Sequence, residues 1–382
     1  MRRDHFSPEH NLFREQFKRF VREHIEPQLE SWNARGQSDR EAWRRMGEAG
    51  YLGANMPVEY GGGGGDFLYD QILIEELSYA RAHALQTSLH SDIVMPYLLH
   101  YGSEEQKREY LPPAIRGELL LAIAMTEPGT GSDLANVQTR ARRDGDDYVI
   151  DGAKTFISNG QNCDLVVVVA KTDPDAKPAH RGISLLLVPT SAPGFVRGKK
   201  LAKLGLRGQD TSEMFFENCR VPKRALLGQE GMGFKYLMTQ LQQERLTIGI
   251  GSIASCRRSL DDTVAYVKER KAFGKPIAAF QNTQFKLAEL ASQVEVGQCF
   301  VDQLCLRHAR GEELVTEASM AKLVTTDLQK RLTSECLQLF GGYGFMLEYP
   351  IATDYADAAV QTIYAGTNEI MKLIIARRLG LE

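Results

Sequence analysis

The feature that most constrains this fold is a change in hydrophobic period that happens twice along the chain. From residue 8 to about 120 the apolar residues recur at three- and four-residue intervals, as on one face of a helix. From about 122 to 230 they come as short β-branched or aromatic runs: "DYVIDG", "KTFISNG", "DLVVVVAKT", "GISLLLVPT", "GFVRG" and "SEMFFENCRVP". Gly, Asn, Asp and Pro separate these runs and no helical pattern lies between them, which predicts a compact antiparallel β domain. Beyond about 231 helical spacing returns, predicting helices over 231–271, 280–310, 314–341 and 367–379, with loops at "FGKP" and "GGYGF". The class is α+β in three parts: an N-terminal α-helical domain (1–121), a middle β domain (122–230) and a C-terminal α-helical domain (231–382).

Local signals fill in the first part. "SPEHNLFREQFKRFVREHIEP" has a Ser N-cap followed by Pro and Glu, and an apolar stripe of Leu12, Phe13, Phe17, Phe20 and Val21 that Pro27 is expected to end. "EAWRRMGEAGYLG" is a shorter helix stopped by Gly50. "GGGGGD" at 61–66 is expected to be a flexible turn, since it lacks the strand-turn-helix spacing of a dinucleotide fingerprint.

One carboxylate is out of place. Leu237, Leu241 and Ile248 mark the buried stripe of the helix after residue 231, and Glu244 falls on it. The positions three and four away are Gln240, Leu241, Thr247 and Ile248, none of them a cation, and Arg245 points to another face. Such a residue is either a stripe-edge carboxylate paired with a distant Arg, or a group buried for its chemistry.

Composition excludes some functions. Lys plus Arg number 46 and Asp plus Glu 49, a net charge of −3, without the basic footprint of a general nucleic-acid binder. The six cysteines (163, 219, 256, 299, 305 and 336) contain no C-x-x-C pair and no metal-ligand spacing, so they are expected to be reduced core thiols. No apolar run reaches the ~20 residues that cross a bilayer, and "MRRDHFSPEH" lacks a secretory h-region. The expected location is the cytoplasm, or the mitochondrial matrix for a processed chain.

Five further stretches carry chemistry. "AIAMTEPGTGSD" (122–133) offers hydroxyls and approachable backbone N–H groups to a polar planar ligand or a phosphate. Phe156 in "KTFISNG" reads most simply as a core aromatic on a strand. "ERKAFGKPI" (269–277) sets Arg270, Lys271 and Lys275 around Phe273, either a solvated basic face or a phosphate clamp. "QLFGGYGFMLEYP" (338–350) packs aromatics among glycines, and in "IYAGTNEIMKLIIARRLG" (363–380) Thr367 is a candidate N-cap whose neighbouring N–H groups suit an oxyanion.

In this order, over this α-β-α background, "AMTEPGTGSD", "FISNG", "ERKAFGKPI", "QLFGGYGF" and "IYAGTNEI" closely resemble the acyl-CoA dehydrogenase family, across essentially the whole chain. The resemblance implies a C-terminal four-helix bundle, bound FAD, a homotetramer and oxidation of an acyl-CoA to its trans-2-enoyl-CoA, with electrons passed to an electron-transferring flavoprotein. Much of the family carries its catalytic base in a stretch like "IYEGT", where this chain has Ala365. The long-chain and isovaleryl branch instead carries a glutamate in a helical "QERL", which this chain has at Glu244, 121 residues away (365 − 244). By that match Glu244 is the base and the Ala365 backbone N–H, beside Gly366, is a donor to the thioester oxygen. An apolar wall would raise the pKa of such a base toward neutrality.

The same matching gives the other expected roles. Met125, Thr126 and Ser132, with Phe156, Ile157 and Ser158, should line the flavin; Phe156 stands where Trp is common and lacks an indole N–H. Arg270, Phe273, Gln281, Gln338, Gly341 and Gly342 should hold the ADP half, partly across a subunit contact. Thr367, Asn368 and Glu369 match a further flavin-contacting stretch. Ser132, Gln242, Arg245 and Gly366 should face the substrate. Pocket depth should depend on side chains around 85–100 and 234–248, and the acyl group is expected to be medium to long, or 3-methyl-branched. The rivals are a flavin acyl-CoA oxidase, usually a longer chain, and a non-catalytic flavoprotein that binds nucleic acid.

Overall fold

A computed structural model describes residues 3–85 and 87–381. The first block is helical: α1 (Pro8–Phe20), α2 (Leu29–Arg35), α3 (Arg40–Glu48), α4 (Phe67–Tyr79), α5 (Met95–Tyr101) and α6 (Glu104–Ile115). Ser7 caps α1 by accepting from the His10 N–H, and the His10 ring accepts back from the Ser7 N–H, so His10 does the work a Glu would do in a capping box. Pro27 does not end the segment. The helix widens to one π-turn at Val21–Ile25, and Pro27 sits in a 3-10 turn that leads directly into α2. Of the expected stripe, Phe17 and Val21 are buried but Leu12 is 61% exposed, because it lies on the opposite side of α1. The glycines at 61–65 form a packed turn rather than a flexible one. Gly63, Gly64 and Gly65 donate backbone hydrogen bonds to Gly53, Met56 and Ala54, and a Cβ on Gly62 would stand 2.2 Å from the Met56 carbonyl oxygen.

Eight strands follow: β1 (Leu121–Ala124), β2 (Arg140–Asp144), β3 (Asp147–Ser158), β4 (Leu165–Lys171), β5 (Ile183–Pro189), β6 (Phe195–Lys200), β7 (Thr211–Pro222) and β8 (Leu226–Leu227). They form one sheet in the order β6-β7-β3-β2-β4-β5-β8, with β1 added against β4. Most pairs are antiparallel as expected, but β1 runs parallel to β4, since the chain crosses β2 and β3 before returning beside it. "LVVVVAK" is apolar on both faces because both are covered. Leu165, Val167 and Val169 pack toward α5, α6 and Leu237, while Val166, Val168 and Ala170 face a core closed by Met214, Phe216 and Val221.

The last block contains α7 (Gly233–Glu269), a short hairpin of β9 (Lys271–Ala272) and β10 (Lys275–Pro276), α8 (Gln281–Ala309), α9 (Val315–Phe340), α10 (Pro350–Gln361) and α11 (Asn368–Arg378). Helix α10 was not anticipated in the sequence; its signal is Pro350 at the first helical position. Helices α4, α7, α8 and α9 share one core through Ile72, Ile250, Val301 and Leu332. Five cysteines are buried and free; Cys299 is exposed and so is not a core thiol. Among the described residues no helix is long and apolar enough to cross a membrane.

Candidate active site

Glu244 lies in the first third of α7 and is 5% exposed. Its side-chain partner comes from another part of the chain: the Tyr97 hydroxyl, on α5, donates to Glu244 Oε1 at 2.8 Å. Burial pushes the carboxyl up to about 7, and the Tyr97 bond and the Arg245 charge only partly offset it. Near neutral pH the group can therefore either take or hold a proton. Tyr97 falls within the 85–100 stretch expected to line a pocket, of which Gln86 lies outside the described residues.

The neighbours of Glu244 diverge. Arg245 is also buried, and its guanidinium reaches Ser319 Oγ at 3.4 Å while its Nε has no partner among the described residues. Gln242 points toward α9, where its side-chain oxygen accepts from the Leu314 N–H at 2.8 Å. Gln243 is tied on both ends, donating to the Asp92 carbonyl at 2.7 Å and bonded to His308 Nε2 at 2.9 Å.

The segment between α10 and α11 turns back beside this region. Ala365 has φ of 52° and Gly366 of 89°, so two successive residues are left-handed. Thr367 caps α11 by accepting from the Ile370 N–H at 3.4 Å, Asn368 is buried and Glu369 is exposed. Lys322 on α9, fully buried, donates to the Gly366 carbonyl at 2.9 Å and to Asn368 Oδ1 at 2.8 Å. Burial lowers its pKa to about 8, partly offset by Asp327, and Arg245 meets the same face of α9 one turn earlier, at Ser319. A small cavity of about 60 Å³ lies beside them, lined among others by Thr247, Ile248 and Gly251 of α7 and by Gln361 and Tyr364.

A second group of expected residues forms on the sheet. Between Lys154 and Ile157 the pairing of β3 with β7 slips its register, and Phe156 in the slip has φ of 59°. The bulge turns the ring outward to 67% exposure, so Phe156 is not the core residue its strand context suggests, while Ile157 is buried and Ser158 half-buried. Met125 and Thr126 run alongside: the Thr155 N–H donates to Thr126 O at 3.0 Å and Lys154 Nζ to Met125 O at 3.0 Å. Beneath them Lys154 Nζ pairs with Glu127 Oε1 at 2.8 Å, and that carboxylate also accepts from the Gln138 and Thr139 N–H groups. Ser132 sits exposed in the following loop.

A third group surrounds a cavity of about 520 Å³ lined by Arg270, Gln338, Gly341 and Gly342, with Tyr266 and Tyr343 among the aromatic walls. The Arg270 guanidinium lies 5.4 Å from the centre of the Tyr343 ring. Phe273, at the tip of the β9–β10 hairpin, is 95% exposed, and Gln281 is exposed at the start of α8; neither lines the cavity. A Cβ on Gly341 or Gly342 would meet nothing within 4 Å, so backbone there is open to a ligand. An outward aromatic at a strand bulge, and a guanidinium facing an aromatic-walled cavity with open glycine backbone, suit a flavin ring and a pyrophosphate.

Tyr97, Lys322, Lys154 and Glu127 were not singled out in the sequence. For Lys322 the signal is the one that marked Glu244, a charge on a buried stripe, here with Ala318, Ala321 and Thr325.

Comparison with known proteins gives these three groups a common setting. Family models described as the N-terminal, middle and C-terminal domains of acyl-CoA dehydrogenase match residues 7–118, 122–219 and 231–380. The long-chain specific acyl-CoA dehydrogenase of Rattus norvegicus mitochondria is 47% identical over 374 residues, 98% of this chain and 87% of that protein. An acyl-CoA dehydrogenase structure from Geobacillus kaustophilus superposes with a TM-score of 0.97 at 50% identity, covering 98% of this chain and 99% of its own. A glutaryl-CoA dehydrogenase from Mycobacterium smegmatis, solved in complex with FADH2, gives 0.92 at 31% identity over 99% of this chain and 96% of that one. By sequence, domain order and backbone alike, the chain belongs to the acyl-CoA dehydrogenase family of FAD-binding oxidoreductases.

Proposed function

We propose that this enzyme dehydrogenates a medium- or long-chain, or a 3-methyl-branched, acyl-CoA to its trans-2-enoyl-CoA, with Glu244 as the base. The observation that carries the reading is the buried Glu244 carboxyl at about 7, on a helix face without a cation three or four residues away. FAD, when bound, supplies the acceptor for the hydride that leaves the β-carbon. Glu244 takes the α-proton, and Tyr97 fixes one carboxylate oxygen so that the other is available. The Ala365 N–H donates to the thioester oxygen, where negative charge develops as the proton leaves. The outward ring of Phe156 with Met125, Thr126, Ser132, Ile157 and Ser158 forms the flavin wall, and Thr367, Asn368 and Glu369 its other margin. Ser132, Gln242, Arg245 and Gly366 border the substrate.

The Arg270 cavity suits the ADP half of FAD, with Gln338, Gly341 and Gly342 in its wall; Phe273 and Gln281, exposed outside that wall, are assigned to the same half by their match to the family's motif. Arg270 lies 26 residues beyond Glu244 (270 − 244), about 39 Å along α7 at the helical rise. A cavity so far from Glu244 suits an assembly in which one copy's Arg270 serves its neighbour's FAD, and we take that assembly to be a homotetramer. Electrons leave to an electron-transferring flavoprotein. The test is anaerobic mixing of the FAD-loaded protein with straight and branched acyl-CoAs from short to long. A good substrate bleaches the flavin and yields the 2-enoyl thioester; a panel with no bleaching refutes the reading.

A further inference from the structure

The turn that carries Ala365 is held in a conformation that alanine does not favour. A left-handed residue with a Cβ persists only where its surroundings over-determine it. Here the surroundings converge on Lys322. Its ammonium bonds the Gly366 carbonyl at 2.9 Å and Asn368 Oδ1 at 2.8 Å, one contact on each side of Thr367. Asn368 is fixed in turn: its Nδ2 donates to Thr326 Oγ1 at 3.0 Å and Asp327 Oδ1 at 2.8 Å, and its N–H donates to the Thr362 carbonyl at 3.0 Å. That last bond closes the loop from 362 to 368, so the whole turn hangs on α9 through one lysine and one asparagine. Lys322 is fully buried, with the Asp327 carboxylate on the far side of Asn368 and Arg245 meeting α9 one turn away at Ser319. Its ammonium, kept out of water against the turn itself, is positive charge already in place when negative charge develops there.

We propose that Lys322 is a positioning residue of the reaction: it fixes the left-handed Ala365–Gly366 turn so that the Ala365 N–H faces the thioester oxygen, and it places positive charge behind that point. This rests on the function proposed above. It concerns a residue on α9 that neither supplies the base nor lines the Arg270 cavity.

The test compares wild type with Lys322→Met as FAD-loaded full-length proteins. In wild type the infrared carbonyl band of a carbonyl-labelled acyl-CoA should move to lower frequency on binding, because the oxygen accepts a hydrogen bond in a positive field. In Lys322→Met the band should return toward its free position and kcat should fall by roughly 10²–10³, the effect of losing one oxyanion donor. KM should stay within about threefold and FAD content should not change. Lys322→Arg, which can donate to both acceptors, should recover part of kcat and of the band shift. A flavin-loaded Lys322→Met that keeps both kcat and the band shift overturns the proposal. If Lys322→Met does not fold, Asn368→Ala, compared with wild type at equal FAD content, decides: it removes one of the two ammonium acceptors, so kcat per bound flavin should fall roughly tenfold or more with a partial loss of the band shift. An unchanged kcat and band in that variant overturn the proposal equally. A wild-type enzyme that turns over no acyl-CoA is a separate result, which refutes the assigned reaction and not the clamp.

Discussion

Replacing Glu244 by Gln separates two consequences of burying the base. The amide keeps the shape and can still accept from Tyr97, but it can neither take a proton nor carry a charge. The first consequence is kinetic: flavin bleaching by a good acyl-CoA should slow by ~10²–10⁴, with FAD still bound. The second is thermodynamic. Burial holds Glu244 at about 7 against an ordinary 4.5, so the folded chain keeps a proton that the unfolded chain gives up. The stability from this group is therefore full below pH 4.5 and is lost as pH rises through 7. The difference corresponds to at most about 3 kcal/mol. Glu244→Gln has no such loss, so relative to wild type it should gain up to that amount between pH 4.5 and 8. Urea unfolding of the two proteins at saturating FAD, at several pH values, measures it. A stability difference that does not change with pH would show that the carboxyl is not buried as described. Bleaching at the wild-type rate would show that it is not the base.

Three other outcomes are expected. Arg270→Ala removes a charge-assisted bond to the pyrophosphate and should raise the FAD dissociation constant roughly 10- to 100-fold, measured by flavin retention on gel filtration. Lys154→Met strands the buried Glu127 carboxylate and should destabilise the fold by about 3–5 kcal/mol, while Lys154→Met with Glu127→Gln should recover much of that in urea unfolding. Burial alone would raise Glu75, but Arg3 and Arg14 outweigh it and hold its carboxyl at about 2, so it stabilises the fold above pH 4.5 and ceases to as pH falls through 2. Glu75→Gln should remove that part of the acid transition, about 3 kcal/mol of it, seen as a flatter fall in thermal midpoint across that window.

What could be read from the chain alone was what depends on local period. The two changes in hydrophobic spacing marked helices and strands, and an uncompensated charge on an apolar stripe marked Glu244. What could not be read depends on contacts distant in sequence or on backbone irregularity. Tyr97 reaches Glu244 across 147 residues, and no spacing rule connects them. Phe156 alternates as a core residue should, and only the register slip against β7 turns it outward. Pro27 carries a stop signal that the π-turn before it bypasses, by shifting the backbone so that the proline falls in a 3-10 turn. Helix α10 buries Asp354, Asp357 and Gln361 alongside Ile351 and Ala358, so a period counted on apolar residues misses it, though Pro350 marks its start.

The bond from Tyr97 to Glu244 has a meaning beyond the site. One partner belongs to the opening helical block and the other to the closing one, so the proton affinity of the base reports how those two blocks are docked. Anything that eases them apart, whether warming, a distant substitution or a bound protein, would lengthen that bond and raise the proton affinity of Glu244 further. The rate profile would then move to higher pH while the chain was still folded and its flavin still held. A drift in pH optimum across variants would thus be an early, graded sign of loosening between the blocks, readable before any change in melting.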